Sequence, residues 1–326
     1  VPWSPLSLAD LRANGSKLNT IYPEWFFINP KTFQLESRID KEALSVMKYH
    51  QLSIQPILNN FISEKGKQGN FSGDLLHTIL HNPQLQNQLI GQMIKTLKAN
   101  QLQGINIDFE KMKENSDEFL NAFMKNLYTQ FKKNGLIVSI DIMADNTDYN
   151  HNYLKDYTDY FIIMAYDQFN DPSQAGPISD QKWIEKQLDQ IAKDIPSEKL
   201  ILGVGAYGRA WIADENGKRT EDLTYSQVID RAKISKSTID FDENSYNLHY
   251  AYNFSGSENE PASKNEVWFT DAATAYNILR FSDDYRNAGT ALWRLGSEDP
   301  RIWSFYARDL SSESLKKNPF NYSLLA

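Results

Sequence analysis

The hydrophobic positions of the chain fall into two alternating kinds of segment. Short apolar runs rich in β-branched and aromatic residues are typical of strands, and longer stretches with a helical apolar period are typical of amphipathic helices. The first pattern predicts strands at 18–28, 52–58, 103–110, 136–144, 160–166, 199–206 and 289–295. The second predicts helices at 6–13, 40–49, 73–81, 83–100, 116–133, 153–156, 179–193, 271–281 and 300–310.

Strands that alternate with helices indicate a parallel sheet, and eight such units close a barrel. We therefore predict an α/β protein in which residues 1–326 form a single TIM (β/α)8 barrel domain. Residues 211–268 break the rhythm with polar turns and short strands, which predicts a small α+β or irregular insertion between strand 7 and helix 7. An open doubly wound sheet is the alternative, but no glycine-rich phosphate loop follows any predicted strand.

The strand at 103–110 carries the clearest chemical signal in the sequence. Its alternation places apolar side chains on one face and Asn106, Asp108 and Glu110 on the other. Alternate side chains lie roughly 7 Å apart, and like charges at that distance raise the proton affinity of one group. A raised carboxyl pKa is what a general acid needs near neutral pH. An exposed amphipathic strand with solvated acids fits the same spacing equally well.

Further candidate residues stand where the predicted strands end. Barrel active sites lie at the carboxyl ends of the strands, so polar residues at those positions are expected to meet at one mouth. The polar residues that end these strands are Asn59, Glu110, Asp145, Tyr166, Asp167, Tyr207 and Arg209.

Composition excludes several other functions. The net charge is −8 and no run of Lys or Arg stands out, so neither nucleic acid nor an anionic membrane is an expected partner. No apolar run approaches the length of a membrane span. The chain has no cysteine and its histidines lie at no ligand spacing, so we expect no metal and no cofactor.

Four ordered segments resemble a known family. The segment 103–110 resembles the D-G-x-D-x-D-x-E signature of glycoside hydrolase family 18, the chitinase-like TIM barrels. The segment 164–167 (MAYD) is similar to the M-x-Y-D motif of that family, and 203–211 (GVGAYGRAW) to its G-x-x-x-Y-G-R-x-W. The segment 291–293 (ALW) resembles the eighth-strand segment whose Trp floors the sugar site. The resemblance covers nearly the whole chain.

A narrower resemblance concerns the architecture of the full-length protein. Five segments, at 22–26, 56–60, 176–179, 267–277 and 291–303, resemble the family 18 domain of large bacterial proteins. Those proteins also carry a polysaccharide deacetylase and a membrane glycosyltransferase. The resemblance implies that this chain is one domain of a longer, extracytoplasmic polypeptide. It also implies that the first barrel strand is truncated to a stub at residues 1–3 or missing.

The resemblance assigns roles to individual residues. Glu110 matches the general acid, and Asp108 matches the acid that orients the N-acetyl group of the substrate and stabilises its developing charge. Tyr166 matches the hydroxyl that hydrogen-bonds the acetamido carbonyl. The residues implied to line or floor the same sugar subsite are Met164, Asp167 and Trp293.

Two positions depart from the family signature. Gln103 replaces its first Asp, where a structural role is expected. Asn106 replaces its second Asp, which in the family shares a proton with the third. An amide can hydrogen-bond Asp108 but cannot take up its proton. We therefore expect an altered pH dependence or a reduced rate.

The implied function is retaining, substrate-assisted hydrolysis of β-linked N-acetylglucosamine glycans. This family is a known exception to the two-carboxylate scheme of glycosidases. Chitin, peptidoglycan glycan and poly-N-acetylglucosamine are the expected substrate class. Two alternatives stay open: a lectin-like domain that holds a glycan without cutting it, and a scaffold for a tethered synthase.

Overall fold

A computed structural model describes residues 4–63, 69–112, 117–143, 146, 149–214, 217–254 and 263–325. The predicted first-strand stub at 1–3 and the candidate Asp145 lie outside these residues. The chain divides into two compact units. Unit 1 holds residues 1–5, 11–163 and 191–200, and unit 2 holds residues 6–10, 164–190 and 201–326.

The first half of the chain supplies most of unit 1. Its helices are α1 Pro5–Asn14, α2 Lys41–Tyr49, α3 Gly73–Leu80, α4 Pro83–Asn100, α5 Asp117–Lys132 and α6 His151–Leu154. Its strands are β1 Thr20–Ile21, β2 Phe26–Ile28, β3 Leu35–Ser37, β4 Ser53–Ile54, β5 Ile57–Asn59, β6 Phe61–Ile62, β7 Asn70–Phe71, β8 Gly104–Asp108, β9 Ile137–Ile142 and β10 Tyr160–Met164.

The main sheet of unit 1 is parallel. Its strand order is β10-β9-β8-β5-β2, and β3 pairs antiparallel with β2. Strands β8 and β9 are almost entirely buried, as expected for a parallel sheet that is covered on both faces. Asn106 has no exposed surface, which rules out the interpretation of β8 as a solvated amphipathic strand.

Helix α4 illustrates how the predicted pattern places helices against this sheet. The Asn82 side chain caps its first turn by accepting hydrogen bonds from two backbone N–H groups, and Pro83 occupies the first helical position. Leu89, Met93 and Leu97 recur at intervals of four residues along α4, and this stripe is fully buried. The stripe therefore forms the apolar face of the helix, as its spacing predicts.

Unit 2 combines two parallel strands with a separate antiparallel sheet. Its helices are α7 Gln181–Ile191, α8 Tyr225–Ser235, α9 Ala272–Asp284 and α10 Ser312–Lys317. Its strands are β11 Leu200–Gly205, β12 Gly208–Asp214, β13 Gly217–Leu223, β14 Asp240–Asp242, β15 Asn247–Phe254, β16 Ser263–Phe269 and β17 Gly289–Trp293. Strand β11 pairs parallel with β17, so that Gly205 stands opposite Trp293.

The segment predicted as an insertion contains the antiparallel sheet, in the order β13-β12-β16-β15-β14. Helix α8 packs on this sheet through Val228 and Ala232. The buried Tyr250 hydroxyl donates a hydrogen bond of 2.9 Å to the Val228 carbonyl. This packing gives the segment an apolar core of its own.

Several predicted elements have different bounds in the structure. The strand expected at 18–28 is two short strands, β1 and β2, because Pro23 interrupts it and the Trp25 N–H turns back to the Pro23 carbonyl. The closing helix expected at 300–310 is a 3₁₀ helix over Pro300–Ser304. The Asp299 side chain caps that short helix by accepting from the Arg301 N–H.

Candidate active site

The polar face of β8 continues sideways onto the two neighbouring strands. The register sets Asn59 of β5 beside Asp108. On the other side, β8 and β9 pair as far as Ile107 and Ile140, so the next residues, Asp108 and Asp141, are neighbours. Because side chains alternate along a strand, Asn59, Asp108 and Asp141 form one row across the sheet, here called the carboxyl row.

A second polar pair lies one step toward the start of the same strands. Asn106 stands opposite Ser139 in the β8–β9 register. The Ser139 hydroxyl donates a hydrogen bond of 2.9 Å to Oδ1 of Asn106. This bond shows that side chains on this face of β8 reach those of β9. It also fixes the Asn106 amide at the position where the family signature has an acid.

Burial and neighbouring negative charges raise the pKa values of the two acids in the carboxyl row. Oδ1 of Asp108 and Oδ1 of Asp141 are buried, with no hydrogen-bond partner among the described residues. Burial, followed by the charges of Asp141, Glu110 and Glu24, raises the pKa of Asp108 well above its usual range. Burial, with Glu110 and Glu24 adding to it, raises the pKa of Asp141 to about 7. Both shifts favour retention of a proton on the row near neutral pH.

The amide of Asn106 acts in the opposite direction on Asp141, whose pKa it lowers. Its Nδ2 makes no hydrogen bond of ordinary geometry within the described residues. The contact is therefore weaker than an ordinary hydrogen bond, and burial outweighs it in setting the pKa of Asp141.

Glu110 is held in place through its backbone. The buried Asn60 side chain accepts from the Glu110 N–H at 3.0 Å and donates to the Glu110 carbonyl at 2.8 Å. The Tyr149 hydroxyl donates to the Phe109 carbonyl at 2.7 Å. These bonds hold the backbone at the end of β8. Neither Asn60 nor Tyr149 was a candidate site residue from the sequence.

In unit 2, three of the predicted residues form one network around a carboxylate. The Tyr207 hydroxyl donates a short hydrogen bond to Oδ1 of Asp167, and Arg209 forms an ion pair of 2.8 Å with the same oxygen. Arg209 also bonds Asp222 at 2.7 Å and is only 6% exposed. The guanidinium and the hydroxyl thus orient the Asp167 carboxylate, and that residue adopts a left-handed φ of 59°.

The electrostatics of this network are those of a fixed charge cluster. Burial and the Asp167 carboxylate raise the pKa of the Tyr207 hydroxyl well above its usual range, so the hydroxyl stays protonated. Burial opposes the charge of Arg209, but Asp222, Tyr207 and Asp167 together leave its pKa raised. A direct contact of Tyr207 or Arg209 with a sugar stays a prediction.

Two aromatic side chains of unit 2 are aligned with each other. The Tyr166 and Trp293 rings are nearly parallel, with an angle of 10° between planes and 6.4 Å between centroids. Gly205 makes this arrangement possible, since a Cβ there would lie 2.7 Å from the Tyr166 Cβ and 2.8 Å from Ile178. The absence of a side chain at 205 therefore sets the position of Tyr166.

We expect Gly205→Ala to displace Tyr166 and to destabilise the protein by roughly 1–3 kcal/mol, the usual cost of overpacking a well-packed interior. Gly289→Ala is the matched control, since Gly289 is also in a strand of this unit and a Cβ there meets nothing within 4 Å. Chemical denaturation of both variants measures the effect. Equal stability of the two variants would contradict the packing argument.

The predicted site residues thus fall into two groups. Unit 1 brings together Asn59, Asn106, Asp108 and Glu110. Unit 2 holds Met164, Tyr166, Asp167, Tyr207, Arg209 and Trp293. The sugar-binding roles that the resemblance implies for these residues stay predictions.

Among the described residues, no three His, Asp or Glu side chains are arranged to hold a metal ion, those of the carboxyl row included. None of the helices in the same residues combines the length and apolarity needed to cross a bilayer.

Comparison with known proteins identifies the family. The profile described as Glycosyl hydrolases family 18 matches residues 63–299, and the chain belongs to this family of glycosidases. The resemblance indicated by the four motifs is thereby confirmed. The narrower likeness to proteins fused to a deacetylase and a glycosyltransferase is not part of this match.

The relatives found by sequence are distant, but the matches extend over most of this chain. The chain is 23% identical over 250 residues to the cortical fragment-lytic enzyme of Bacillus anthracis, covering 73% of this chain and 56% of that protein. It is 26% identical over 278 residues to di-N-acetylchitobiase of Mus musculus, covering 75% and 74%. The chain spans about half the length of several curated relatives that it matches.

A solved structure confirms the fold class. The chitinase of Chromobacterium violaceum superimposes with a TM-score of 0.81 at 21% identity, over 94% of this chain and 96% of that one. At this identity the likeness speaks for the fold alone. The predicted α/β TIM-barrel class is therefore correct.

Proposed function

We propose that this chain hydrolyses β-linked N-acetylglucosamine glycans with retention of configuration, by substrate-assisted catalysis. The observation that carries the proposal is the end of β8. There the backbone of Glu110 is clamped by Asn60, and the same strand face bears Asp108 with a strongly raised pKa. A carboxyl carried on a clamped backbone, near a buried acid, is the arrangement that acid–base chemistry on a glycosidic bond needs.

Glu110 acts as the general acid in the first step. Its carboxyl proton moves to the glycosidic oxygen while the bond from that oxygen to the anomeric carbon breaks. The acetamido carbonyl oxygen of the same sugar forms a new bond to the anomeric carbon and gives an oxazolinium ion. Glu110 then accepts a proton from water. The water oxygen bonds to the anomeric carbon as the bond from the acetamido oxygen breaks and the oxazolinium ring opens.

Asp108 stabilises the positive charge on the acetamido group. A carboxylate in a water-poor site interacts far more strongly with a developing charge than it would in bulk water. Burial and the neighbouring charges raise the pKa of Asp108, which favours its protonated form before the charge develops. The interaction therefore strengthens in the transition state, which is the condition for a group to increase the rate.

The names of related proteins support this class of substrate. They include a chitinase, a di-N-acetylchitobiase and a cortical fragment-lytic enzyme. A class V chitinase of Nicotiana tobaccum, with a TM-score of 0.73, has a structure in complex with NAG4. We further propose that the chain works outside the cytoplasm, beside tethered deacetylase and glycosyltransferase domains, as the narrower sequence resemblance implies.

Mass-spectrometric product analysis tests the proposal. The purified chain is incubated with β-1,4 and β-1,6 oligomers of N-acetylglucosamine, with Glu110→Gln as the matched inactive control. We expect shortened oligomers from one series with the parent and none with the variant. The cleaved series identifies the linkage.

The same experiment separates the alternatives. Binding of either oligomer, measured by calorimetry, without cleavage at any pH would replace the proposal with a lectin-like function. Neither binding nor cleavage would favour the scaffold role. Equal cleavage by the parent and by Glu110→Gln would show that another group is the acid.

A further inference from the structure

The carboxyl row contains an acid that the family signature does not include. Asp141 lies on β9, beside Asp108, and is 9% exposed. In the β9–β10 register its other neighbour is Ile162, which offers no charge or hydrogen bond. Asp141 therefore has an apolar side chain on one flank and Asp108 on the other.

The two acids are both incompletely paired. Oδ1 of each is buried and has no hydrogen-bond partner among the described residues. Two ionised carboxylates cannot bond to each other, because neither has a donor. A single proton between them supplies the missing donor, as in other buried carboxyl pairs that cannot both ionise.

We propose that Asp141 is a positioning residue that shares one proton with Asp108 and takes that proton when Asp108 ionises. The inference rests on the proposed function and adds a partner to it. The O–H bond on Asp108 breaks and one forms on Asp141, so the pair keeps its single negative charge throughout. Asp141 thereby fills the role that Asn106, an amide, cannot fill.

The charges around the pair favour this exchange. The charge of Glu110, two residues past the end of β8, acts on the pair, and so does that of Glu24 from the segment before β2. Asn59 and Asn106 are the neutral polar neighbours on β5 and β8. With carboxylates as the charged neighbours, a second negative charge on the pair is opposed, and the shared proton is retained near neutral pH.

Titration without substrate tests the pairing directly. Carboxyl-carbon NMR of aspartate-labelled protein is recorded against pH for the parent, Asp141→Asn and Asp108→Asn. We expect coupled two-step curves for both residues in the parent. In each variant the remaining acid should titrate in one step at lower pH, because a like charge has been removed. Unchanged titration of Asp108 in Asp141→Asn would overturn the proposal.

Ser139→Ala is the matched control for packing. Ser139 lies on the same strand face two positions earlier and carries no charge, so the two-step titration of Asp108 should persist in this variant. Loss of the two-step curve in Ser139→Ala would mean that local packing, and not proton sharing, couples the acids.

The pH dependence of the melting temperature, compared between the parent and Asp141→Asn, tests the proton sharing through folding stability. The folded protein binds the Asp141 proton more tightly than the unfolded chain, so its stability falls as pH rises from the usual aspartate range through about 7. The variant lacks this loss. Its melting temperature relative to the parent should therefore rise with pH across that window, and an opposite trend would contradict the shared proton.

Kinetics connect the pair to turnover. We expect kcat of Asp141→Asn to fall by about tenfold or more with KM little changed. A change of one unit in the pKa of Asp108 alters its ionisation equilibrium by about a factor of ten. An unchanged kcat would overturn the role in the reaction. If the parent cleaves no oligomer the proposed function fails, but the substrate-free titration still decides whether the acids share a proton.

Discussion

Replacing Glu110 by glutamine should lower kcat on the cleaved oligomer by roughly a hundredfold to ten-thousandfold, the range that a positioned general acid contributes. The amide keeps the size of the side chain but has no acidic proton to give to the glycosidic oxygen. The Asn60 bonds go to the backbone of residue 110 and do not depend on the carboxyl. The variant should therefore fold normally and still bind oligomer.

Initial rates and calorimetric binding on the same preparation measure this effect. Glu118→Gln is the matched control, since it makes the same substitution on the exposed surface of α5. Its kcat should stay within about twofold of the parent, as expected for a surface change away from the chemistry. Residual activity of the Glu110 variant equal to that of the control would exclude Glu110 as the acid.

Asp108→Asn should lower kcat by roughly a hundredfold to a thousandfold, the cost of removing one electrostatic stabiliser of a transition state. Asparagine can still hydrogen-bond, but it cannot become negative as the acetamido group becomes positive. The loss should appear in kcat more than in KM, because the interaction forms in the transition state.

A substrate comparison makes this second prediction sharper. An activated oligomer, with a leaving group of low pKa, needs less protonation by Glu110, because that group departs readily as an anion. It still needs Asp108 to stabilise the oxazolinium ion. Activation should therefore rescue Glu110→Gln in part and leave Asp108→Asn impaired. Equal rescue of both variants would show that Asp108 does not stabilise the developing charge.

The placement of the proposed catalytic acids on one strand face could be predicted from the sequence alone. Strict alternation in β8 placed Asn106, Asp108 and Glu110 together, and strand-end reasoning found Asn59, which lies beside Asp108. Those inferences rest on the period of a strand, which is a local property. The family motifs then implied roles for these residues, which spacing alone could not assign.

The partners of these residues could not be predicted, because they depend on register. Asp141 stands in an alternating strand, with Ser139 on the same face, and this pattern was visible in the sequence. Only the pairing of β8 with β9 puts it beside Asp108. Asn60 was hidden for a similar reason, since its contact with Glu110 joins residues 50 positions apart.

Helix α8 was missed although its start signal is present. Thr224 and Gln227 form a capping box in which each side chain bonds the backbone of the other. The polar turns around it obscured the signal, because the helix gains its apolar face only by packing on the antiparallel sheet through Val228 and Ala232.

The configuration of the first product formed is the most direct test of the central claim. Proton NMR of the cleaved oligomer, recorded before the anomers equilibrate, distinguishes the two outcomes. Substrate-assisted catalysis passes through an oxazolinium ion and predicts that the β-anomer appears first. Initial release of the α-anomer would mean direct attack by water and would contradict the roles given to Asp108 and Glu110.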